Sequence, residues 1–350
     1  MEKEDDTIIS YKLIERIVPV SGYYPINNLI KINDKAFISV GGSHGTIVLF
    51  KIGEKGFSHK KILELGSSYY ALKLSDGRFL SCGMDETMTI FSVNIDEENG
   101  KIEETLKSPD SDDMFVMCIE LSNGNLVSGS CNSSLKLWKK KENTYEISLK
   151  KEKILGEDGI CFFEISDKEF VAVSIGYQLL FIDSNNLNIN SKIENIKTCV
   201  SNTSSICQLS DDIIAIGGGY GNGIYLVDIK KKILLKQVQH VDKKEEDINC
   251  IFKLKNGIIL TAEYYDTKKL KKNEDNEDDS SDDEAITEFV DLAQWKFIKN
   301  EPYLIEDEIN EKVEGASIRD IIELDNGDFI TGGLSGRVRV FRKSGEVIFM

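Results

Sequence analysis

The residues from Leu29 to Phe50 read LIKINDKAFISVGGSHGTIVLF, and those from Ile321 to Phe341 read IIELDNGDFITGGLSGRVRVF. Each stretch has an apolar run, a polar turn, a second apolar run that ends in small residues, and a third run that ends in an aromatic ring. Short runs of β-branched and aromatic residues bounded by Asn, Asp and Gly are typical of β-strands joined by tight turns. The two stretches therefore predict the same three-stranded unit at distant points of the chain.

This unit can be found seven times, so internal repetition is the main feature of the sequence. The sixth copy is split, because IFKLKNGIILTAEYYD is followed by a long insertion before the unit resumes as FVDLAQW. The copies begin at Leu29, Ala71, Cys118, Phe162, Ile206, Ile251 and Ile321.

Two sets of positions keep the copies in register. The last apolar residue of each first strand, here called the anchor, recurs at steps of 42, 47, 44, 44, 45 and 70 residues. All steps but the last are close to the roughly 40–45 residues of a four-stranded propeller blade. The anchors are Ile32, Leu74, Leu121, Ile165, Leu209, Leu254 and Leu324. The third strands end at Phe50, Phe91, Trp138, Ile182, Val227, Trp295 and Phe341. Six of these ends lie 17 or 18 residues after their anchor, and the insertion places Trp295 41 residues after Leu254.

This repetition predicts an all-β fold, a single seven-bladed β-propeller over residues 1–350 with four-stranded antiparallel blades. Asn-Gly pairs at Asn123, Asn256 and Asn326 favour tight hairpins, because both residues tolerate positive φ. We expect weaker outer strands near Lys61–Leu65, Glu146–Leu149 and Ile233–Val238. The N-terminal run Ile9–Val18 is predicted to pair into the seventh blade and close the ring, with the tail Glu346–Met350 as a competitor for that edge.

The units resemble the repeats of the WD-repeat family over nearly the whole chain, on the pattern from Gly41-Gly42 to Phe50. The Trp-Asp pair of that family is incomplete: Trp138 and Trp295 are each followed by Lys, and its Gly-His dipeptide is absent. The buried Asp, His, Ser/Thr and Trp network of the family therefore does not transfer to any blade here. Its Ser/Thr position is occupied by Ser39, Ser81, Ser128 and Thr331, whose partners the sequence does not identify.

The resemblance implies a non-enzymatic scaffold that binds a protein or peptide on one propeller face, as a subunit of a larger complex. Tyrosine-rich surfaces make good contact points, because a Tyr ring buries a large area at low entropic cost. The alternative is that several of these rings pack between blades. The residues expected on this face are Tyr69, Tyr70, Asp85, Phe115, Tyr177, Tyr220, Tyr264, Tyr265 and Arg337.

The insertion in the sixth unit, residues 266–287, contains NEDNEDDSSDDEA. Its clustered charge and low apolar content predict a disordered acidic loop. Ser280 and Ser281 each have an acidic residue three positions later, which is typical of sites for acidophilic kinases. The alternative is a solvated insertion without a regulatory role.

Composition limits the other functions. The net charge of -17 opposes binding to nucleic acid or to anionic lipid. No apolar run approaches the roughly 20 residues that span a bilayer. The 7 cysteines lie mostly in apolar runs without a CxxC pair, which indicates a reducing compartment, and we expect a cytoplasmic or nuclear protein.

No cofactor, metal site or catalytic constellation can be read. The 3 histidines lie far apart, and Gly217–Gly219 precedes a strand without the Lys-Ser/Thr of a phosphate loop. Two alternatives to the scaffold stay open. One is a propeller enzyme with an unrecognised site, and the other is a phosphoinositide-binding propeller, because Phe341-Arg342-Lys343-Ser344-Gly345 is faintly similar to the Phe-Arg-Arg-Gly motif of such proteins.

Overall fold

The structure of the chain is a computed structural model that describes residues 8–17, 25–42, 44–54, 56–83, 85–110, 114–152, 154, 160–174, 178–198, 205–219, 222–239, 247–264, 289–298, 303–314 and 318–348. Throughout these ranges the regular elements are β-strands, arranged as seven four-stranded antiparallel sheets. The predicted fold class, an all-β propeller of seven four-stranded blades, is confirmed.

The strands follow one another through blades one to four in the order in which they pair. An N-terminal strand, β1 (Ile8–Ile17), precedes them. Blade one has β2 (Ile26–Asn33), β3 (Ala36–Gly41), β4 (Thr46–Gly53) and β5 (Gly56–Glu64). Blade two has β6 (Ser68–Lys73), β7 (Phe79–Gly83), β8 (Thr87–Asn94) and β9 (Asn99–Lys107). Blade three has β10 (Phe115–Glu120), β11 (Leu126–Ser130), β12 (Leu135–Lys141) and β13 (Thr144–Lys151), and blade four has β14 (Ile160–Ser166), β15 (Glu169–Ser174), β16 (Gln178–Asp183) and β17 (Ile189–Glu194).

The same order continues in the second half of the chain. Blade five has β18 (Ile206–Ser210), β19 (Ile213–Gly217), β20 (Ile224–Asp228) and β21 (Ile233–Val238). Blade six has β22 (Asp247–Lys253), β23 (Ile258–Tyr264), β24 (Phe289–Ile298) and β25 (Tyr303–Glu314). Blade seven has β26 (Ile318–Glu323), β27 (Phe329–Gly333), β28 (Val338–Ile348) and, as its fourth strand, β1.

The N-terminal strand joins the last blade, as the sequence pattern predicts. β1 pairs antiparallel with β28, from Ile8 opposite Ile348 to Ile17 opposite Val338. The C-terminal residues up to Ile348 continue β28 itself, so the tail does not compete with β1 for the outer edge.

The third-strand ends form the regular aromatic and aliphatic core of the blades. Each lies opposite a residue of the second strand, and all of them are buried. In blades one and seven the opposed rings stack, with Phe37 and Phe50, and likewise Phe329 and Phe341, 4.7 Å apart between centroids. Stacked pairs of this kind add to the stabilisation that burial alone gives. The constant spacing in the sequence thus reflects one conserved contact of the fold.

Two kinds of hairpin join the first and second strands. In blades two, three, six and seven, a glycine with positive φ occupies the turn, namely Gly77, Gly124, Gly257 and Gly327. Three of these belong to the predicted Asn-Gly pairs, where a residue with a Cβ would be strained. Blades one, four and five have tighter hairpins without glycine, as in Asn33 opposite Ala36.

Burial decreases from the middle of each blade outwards. The second strands β3, β7, β11, β19 and β27 are buried along their whole length, because neighbouring blades cover both faces of the sheet. Outer strands such as β17 and β21 alternate between exposed and half-buried residues. The apolar clusters join side chains of successive blades, so the core lies at the interfaces between blades.

A second regularity, which the sequence pattern did not reveal, links successive blades at the hairpin end. The residue directly before the anchor reaches the first hairpin of the preceding blade. The Glu120 carboxylate accepts hydrogen bonds from the backbone N–H of Ser75 (2.6 Å) and from its hydroxyl (2.8 Å). Glu164 accepts the same two bonds from Ser122, at 2.9 and 3.0 Å.

Other blades use the same position with different chemistry. Lys73 donates to the carbonyl of the anchor Ile32 at 2.9 Å, and Lys253 donates to that of Leu209. The set is completed by Glu323, which accepts from the N–H of Lys255, and by Lys31, which donates to Asp325. Gln208 in blade five is the exception, since its side chain forms no hydrogen bond with any described residue. We call these six contacts the interblade clasps.

The insertion separates the second and third strands of blade six. β23 and β24 pair across it, with Tyr264 opposite Val290, so the interruption leaves the blade register intact. The acidic segment 266–287, including Ser280 and Ser281, lies outside the described residues. Its disorder and phosphorylation stay predictions.

Candidate interaction face

Every blade turns the same two ends of its strands toward one side of the ring. The first strand begins there, and the turn between second and third strands lies beside it, as the pairing of Ser68 with Gly83 shows in blade two. The interblade clasps mark the opposite side. We call these sides the upper face and the lower face.

The upper rim of the channel carries a repeated β-bulge. In five first strands the register shifts by one residue just after the strand begins. A bulge leaves one residue unpaired and changes the direction of its side chain, which is why bulges are common beside functional sites. The unpaired residues, each five positions before an anchor, are Asn27, Tyr69, Val116, Asn249 and Arg319.

Tyr69, at the bulge of blade two, is the most exposed aromatic side chain among the residues of this rim that the structure describes. It is 38% exposed, and Met114, just before the first strand of blade three, is 39% exposed. Asp85 lies between them, because its carbonyl accepts a hydrogen bond from the N–H of Phe115 at 3.1 Å. Two exposed apolar side chains and a carboxylate therefore lie in neighbouring blades of the upper face.

The Asp85 carboxylate is only half used inside the protein. Its Oδ1 accepts from the backbone N–H and the hydroxyl of Thr87, at 2.9 and 2.8 Å. Its Oδ2 lies beside Gly66, close enough that a Cβ there would be 3.7 Å away. This oxygen is available to a donor on a partner.

Two of the residues expected on this face lie elsewhere. Phe115 is 1% exposed and packs edge-on against Trp138, with centroids 5.8 Å apart, so its expected place on the face is wrong. The strand turns it inward, because it pairs with Ser130 just before the bulge. Tyr70 lines the central cavity, where burial among apolar side chains raises its pKa well above the usual value.

The structure describes the positions of only some of the other residues predicted on the binding face. Asp85 and Arg337 lie in upper-face turns, in blades two and seven. Tyr264 is the last residue of β23, opposite Asp247. Tyr177, Tyr220 and Tyr265 lie outside the described residues. The role of these residues in binding stays a prediction.

Part of the Ser/Thr and Trp network survives, contrary to the sequence analysis. The Trp138 indole N–H donates to the Ser128 hydroxyl at 2.8 Å, and that of Trp295 donates to Thr261 at 2.8 Å. Both bonds are buried and join the second strand to the third. The spacing alone could have indicated both pairs, because Thr261 stands seven residues after its anchor, as Ser128 does.

The comparison with solved structures decides the fold type. The chain is similar to the crystal structure of the WD40 beta propeller domain of Doa1, with a TM-score of 0.66, 17% sequence identity, and 97% of this chain and 98% of that chain covered. No family model matches the sequence, and no curated protein matches it. This chain has the fold of a WD40 β-propeller.

The central channel of this WD40 propeller is braced by a buried carboxylate. Asp320 of blade seven accepts from the Asn28 amide at 2.8 Å and from the N–H of Leu29 at 2.7 Å, both in blade one. Asn28 in turn accepts from the N–H of Ala71 in blade two. Beside them, Arg319 donates to Asn27 at 2.8 Å. Because its oxygens accept these bonds, Asp320 serves to connect three blades.

The cysteines of the propeller behave as small apolar residues. Cys82 and Cys118 contact each other, with their sulfur atoms 3.7 Å apart, and both are buried. Burial raises the pKa of Cys161 to about 11 and that of Cys207 to about 12, so these groups stay thiols at neutral pH. Among the described residues, no His, Cys, Asp and Glu side chains converge as a metal site.

In the segment that is similar to a phosphoinositide-binding motif, the arginine is paired with a carboxylate. Arg342 lies at the lower end of β28 and donates to Asp328 with its Nε and with its Nη2, the latter at 2.9 Å. Its guanidinium thus has an acceptor within the same blade. In the part of the chain that the structure describes, no helix is long and apolar enough to cross a bilayer.

Proposed function

We propose that this WD40 propeller is an interaction module that binds a protein or peptide partner on its upper face. The fold commonly mediates protein interactions, and its rigid blades hold the rim residues in fixed positions. The observation that carries the proposal is the pair of exposed side chains, Tyr69 and Met114, on either side of Asp85. Exposed aromatic and Met side chains are enriched at the core of protein interfaces.

The other large exposed apolar side chains of the described chain lie away from this rim, on outer strands. They are Ile102, Ile189, Ile233 and Leu234. Outer strands face solvent around the circumference, where single apolar residues are ordinary. The upper rim differs because its two apolar side chains flank a carboxylate oxygen that lacks an internal partner.

The proposal includes three finer points. The module works without catalysis, as a subunit of a larger complex in the cytoplasm or the nucleus. It takes no cofactor. Its acidic segment 266–287 is phosphorylated at Ser280 and Ser281, which adds charge beside the upper end of blade six. Phosphopeptide mapping after treatment with an acidophilic kinase tests this last point.

Affinity purification with quantitative mass spectrometry tests the proposed function. The wild-type chain is compared with a Tyr69→Ala/Met114→Ala double variant and with an Ile102→Ala control that removes an equally exposed apolar side chain from β9. We expect at least one stoichiometric partner that the double variant loses at least tenfold and the control retains. Recovery of the same partners with all three chains would refute the proposed face.

A further inference from the structure

The turn between the second and third strands of blade seven holds two polar groups without acceptors. Ser335 Oγ and Arg337 Nε are both buried, and neither has a hydrogen-bond partner. Neither side chain forms an ion pair with any described residue. A buried donor without an acceptor lowers stability, so such groups call for an explanation when two occur in one turn.

The turn has a fixed place on the upper face. Gly336, with φ of 66°, and a hydrogen bond from its N–H to Gly333 close the turn. Gly333 lies opposite Ile318, which brings the bulged Arg319 to the same end of the sheet. One strand separates β26 from β28, so the backbones of Arg319 and Arg337 are about 10 Å apart. Two guanidinium groups and a hydroxyl thus share one end of blade seven.

The described acidic side chains of β26, β27 and the hairpin between them do not serve this turn. Asp320 accepts from blade one, and Glu323 accepts from the N–H of Lys255. Asp325 bonds Lys31, and Asp328 bonds Arg342, both on the lower face. These four carboxylates are therefore engaged elsewhere, and none of the described residues supplies an acceptor to Arg337.

We propose that this turn binds a carboxylate: an Asp or Glu side chain of the protein partner accepts hydrogen bonds from Ser335 and Arg337. The guanidinium offers a planar fork of donors that matches a carboxylate in two parallel bonds. The inference rests on the proposed function, because it names the chemistry that a partner presents at the blade-seven side of the same face. The partner carries an acidic residue there and an apolar contact for Tyr69 and Met114 across the rim.

The local positive charge acts against the field of the whole chain, whose net charge is -17. A free anion is repelled at long range, whereas a carboxylate held by other contacts reaches the donors at short range. Salt at about 0.1 M screens most of the long-range repulsion. At that salt concentration a free acidic peptide therefore also reaches the donors, and further contacts in an interface hold the carboxylate more firmly.

Fluorescence anisotropy with a fluorescein-labelled peptide of six glutamates, at about 0.1 M salt, tests the carboxylate site. We expect saturable binding that Arg337→Gln weakens at least tenfold and Ser335→Ala about threefold. The matched control is Arg342→Gln, five residues later on β28 and toward the lower face, which should leave the affinity within twofold. A labelled peptide of six glutamines, which has the same shape without the charge, should not bind.

Thermal melting of the same variants separates binding from folding. Arg337 forms no hydrogen bond with any described residue, so Arg337→Gln should melt within a few degrees of the wild type. Absence of saturable binding, or equal losses in Arg337→Gln and Arg342→Gln, would overturn the carboxylate site. If the carboxylate site fails in this way but the Tyr69→Ala/Met114→Ala variant still loses a partner, the proposed function stands without the carboxylate site. If peptide binding depends on Arg337 but affinity purification recovers no cellular partner, the result supports the carboxylate site and rejects the proposed function as a protein-interaction module.

Discussion

The indole N–H groups of Trp138 and Trp295 show how a divergent repeat keeps part of its polar core. Each donates to a hydroxyl seven residues after the anchor of its blade, in a buried setting. In blade one the same position holds Ser39, opposite Val48, and the third strand ends in Phe50 instead of Trp. In blade two, whose third strand ends in Phe91, the hydroxyl of Ser81 at the same position accepts from the Ser68 hydroxyl and donates to the carbonyl of Thr89 instead.

Replacing Ser128 tests this difference. Ser128→Ala leaves the buried Trp138 N–H without an acceptor, so we expect a loss of about 1–3 kcal/mol in the free energy of unfolding. Urea denaturation measures it. The control is Ser39→Ala, which makes the same change in blade one, where Ser39 lies opposite Val48 and the third strand ends in Phe50 instead of Trp, and which should cost much less. Equal losses at both positions would mean that the hydrogen bond contributes nothing.

Asp76, in the first hairpin of blade two, carries a pH-dependent contribution. The Arg78 guanidinium, 2.8 Å away, lowers the pKa of Asp76 to about 2. A carboxyl with a lowered pKa contributes stability that is complete above its unfolded pKa of about 3.9 and is lost as pH falls through its folded pKa. The window therefore lies between about pH 4 and pH 2.

Arg78→Gln should remove this contribution. Because the pair is partly exposed, we expect at most about 1 kcal/mol at neutral pH. The difference from wild type should persist down to about pH 4 and shrink toward pH 2, as measured by urea denaturation at each pH. Lys101→Gln, which breaks the weaker 3.8 Å pair with Glu103, serves as the control. A difference that grows on acidification contradicts the assignment.

Among the structural elements, the first strands have two tasks at their two ends. At the lower end the residue before the anchor forms the interblade clasp, and at the upper end the bulged residue faces the rim. Because side chains alternate along a strand, a one-residue slip would move both to the wrong side. The bulge changes the register only near the rim, so the rim residue varies in type while the clasp and the core remain in place.

The clasps should contribute measurably to the packing of blades. Glu164→Ala removes both bonds to Ser122, and we expect a loss of about 1 kcal/mol because the contact is partly solvated. Gln208→Ala, at the same position in blade five, removes no hydrogen bond to a described residue and should change stability by less than about 0.5 kcal/mol. Chemical denaturation compares the two. A similar effect at both positions would show that the clasp is not the cause.

At the scale of the whole molecule, β1 ties the two ends of the chain together. Tyr11 of this strand is buried, packs edge-on against Phe329 at 5.0 Å in blade seven, and accepts from the Asn256 amide at 2.9 Å in blade six. One side chain from the start of the sequence thus contacts two blades formed by its end. Contacts between residues so distant in sequence form only when the whole ring assembles.

Tyr11→Ala should therefore weaken the fold as a whole. We expect a loss of about 3–5 kcal/mol, as for other large aromatic side chains removed from a core. Tyr69→Ala makes the same chemical change at the exposed rim and should cost less than about 0.5 kcal/mol. Thermal unfolding followed by circular dichroism measures both. A small effect of Tyr11→Ala would mean that β1 is dispensable for the ring.

Particular residues show which positions in the fold can be predicted from the sequence. Phe50, Phe91 and Trp138 were correctly placed at the third-strand ends, because a buried position in a repeat tolerates only large apolar side chains. Phe115 was misplaced, since one aromatic residue at a strand start looks like another until the bulge decides which of them faces outward. Met114 and Arg319 were missed for the same reason.

The sequence by itself determined the seven blades and the position of the insertion, because these follow from periodic burial along the chain. It left two candidates for the outer edge of blade seven, and the structure places β1 there. Only the tertiary structure decided which polar groups have partners. Ser335 and Arg337 look ordinary in a turn, and Glu164 resembles any exposed glutamate. Whether a donor meets an acceptor depends on residues from other blades, and that information is absent from any single segment.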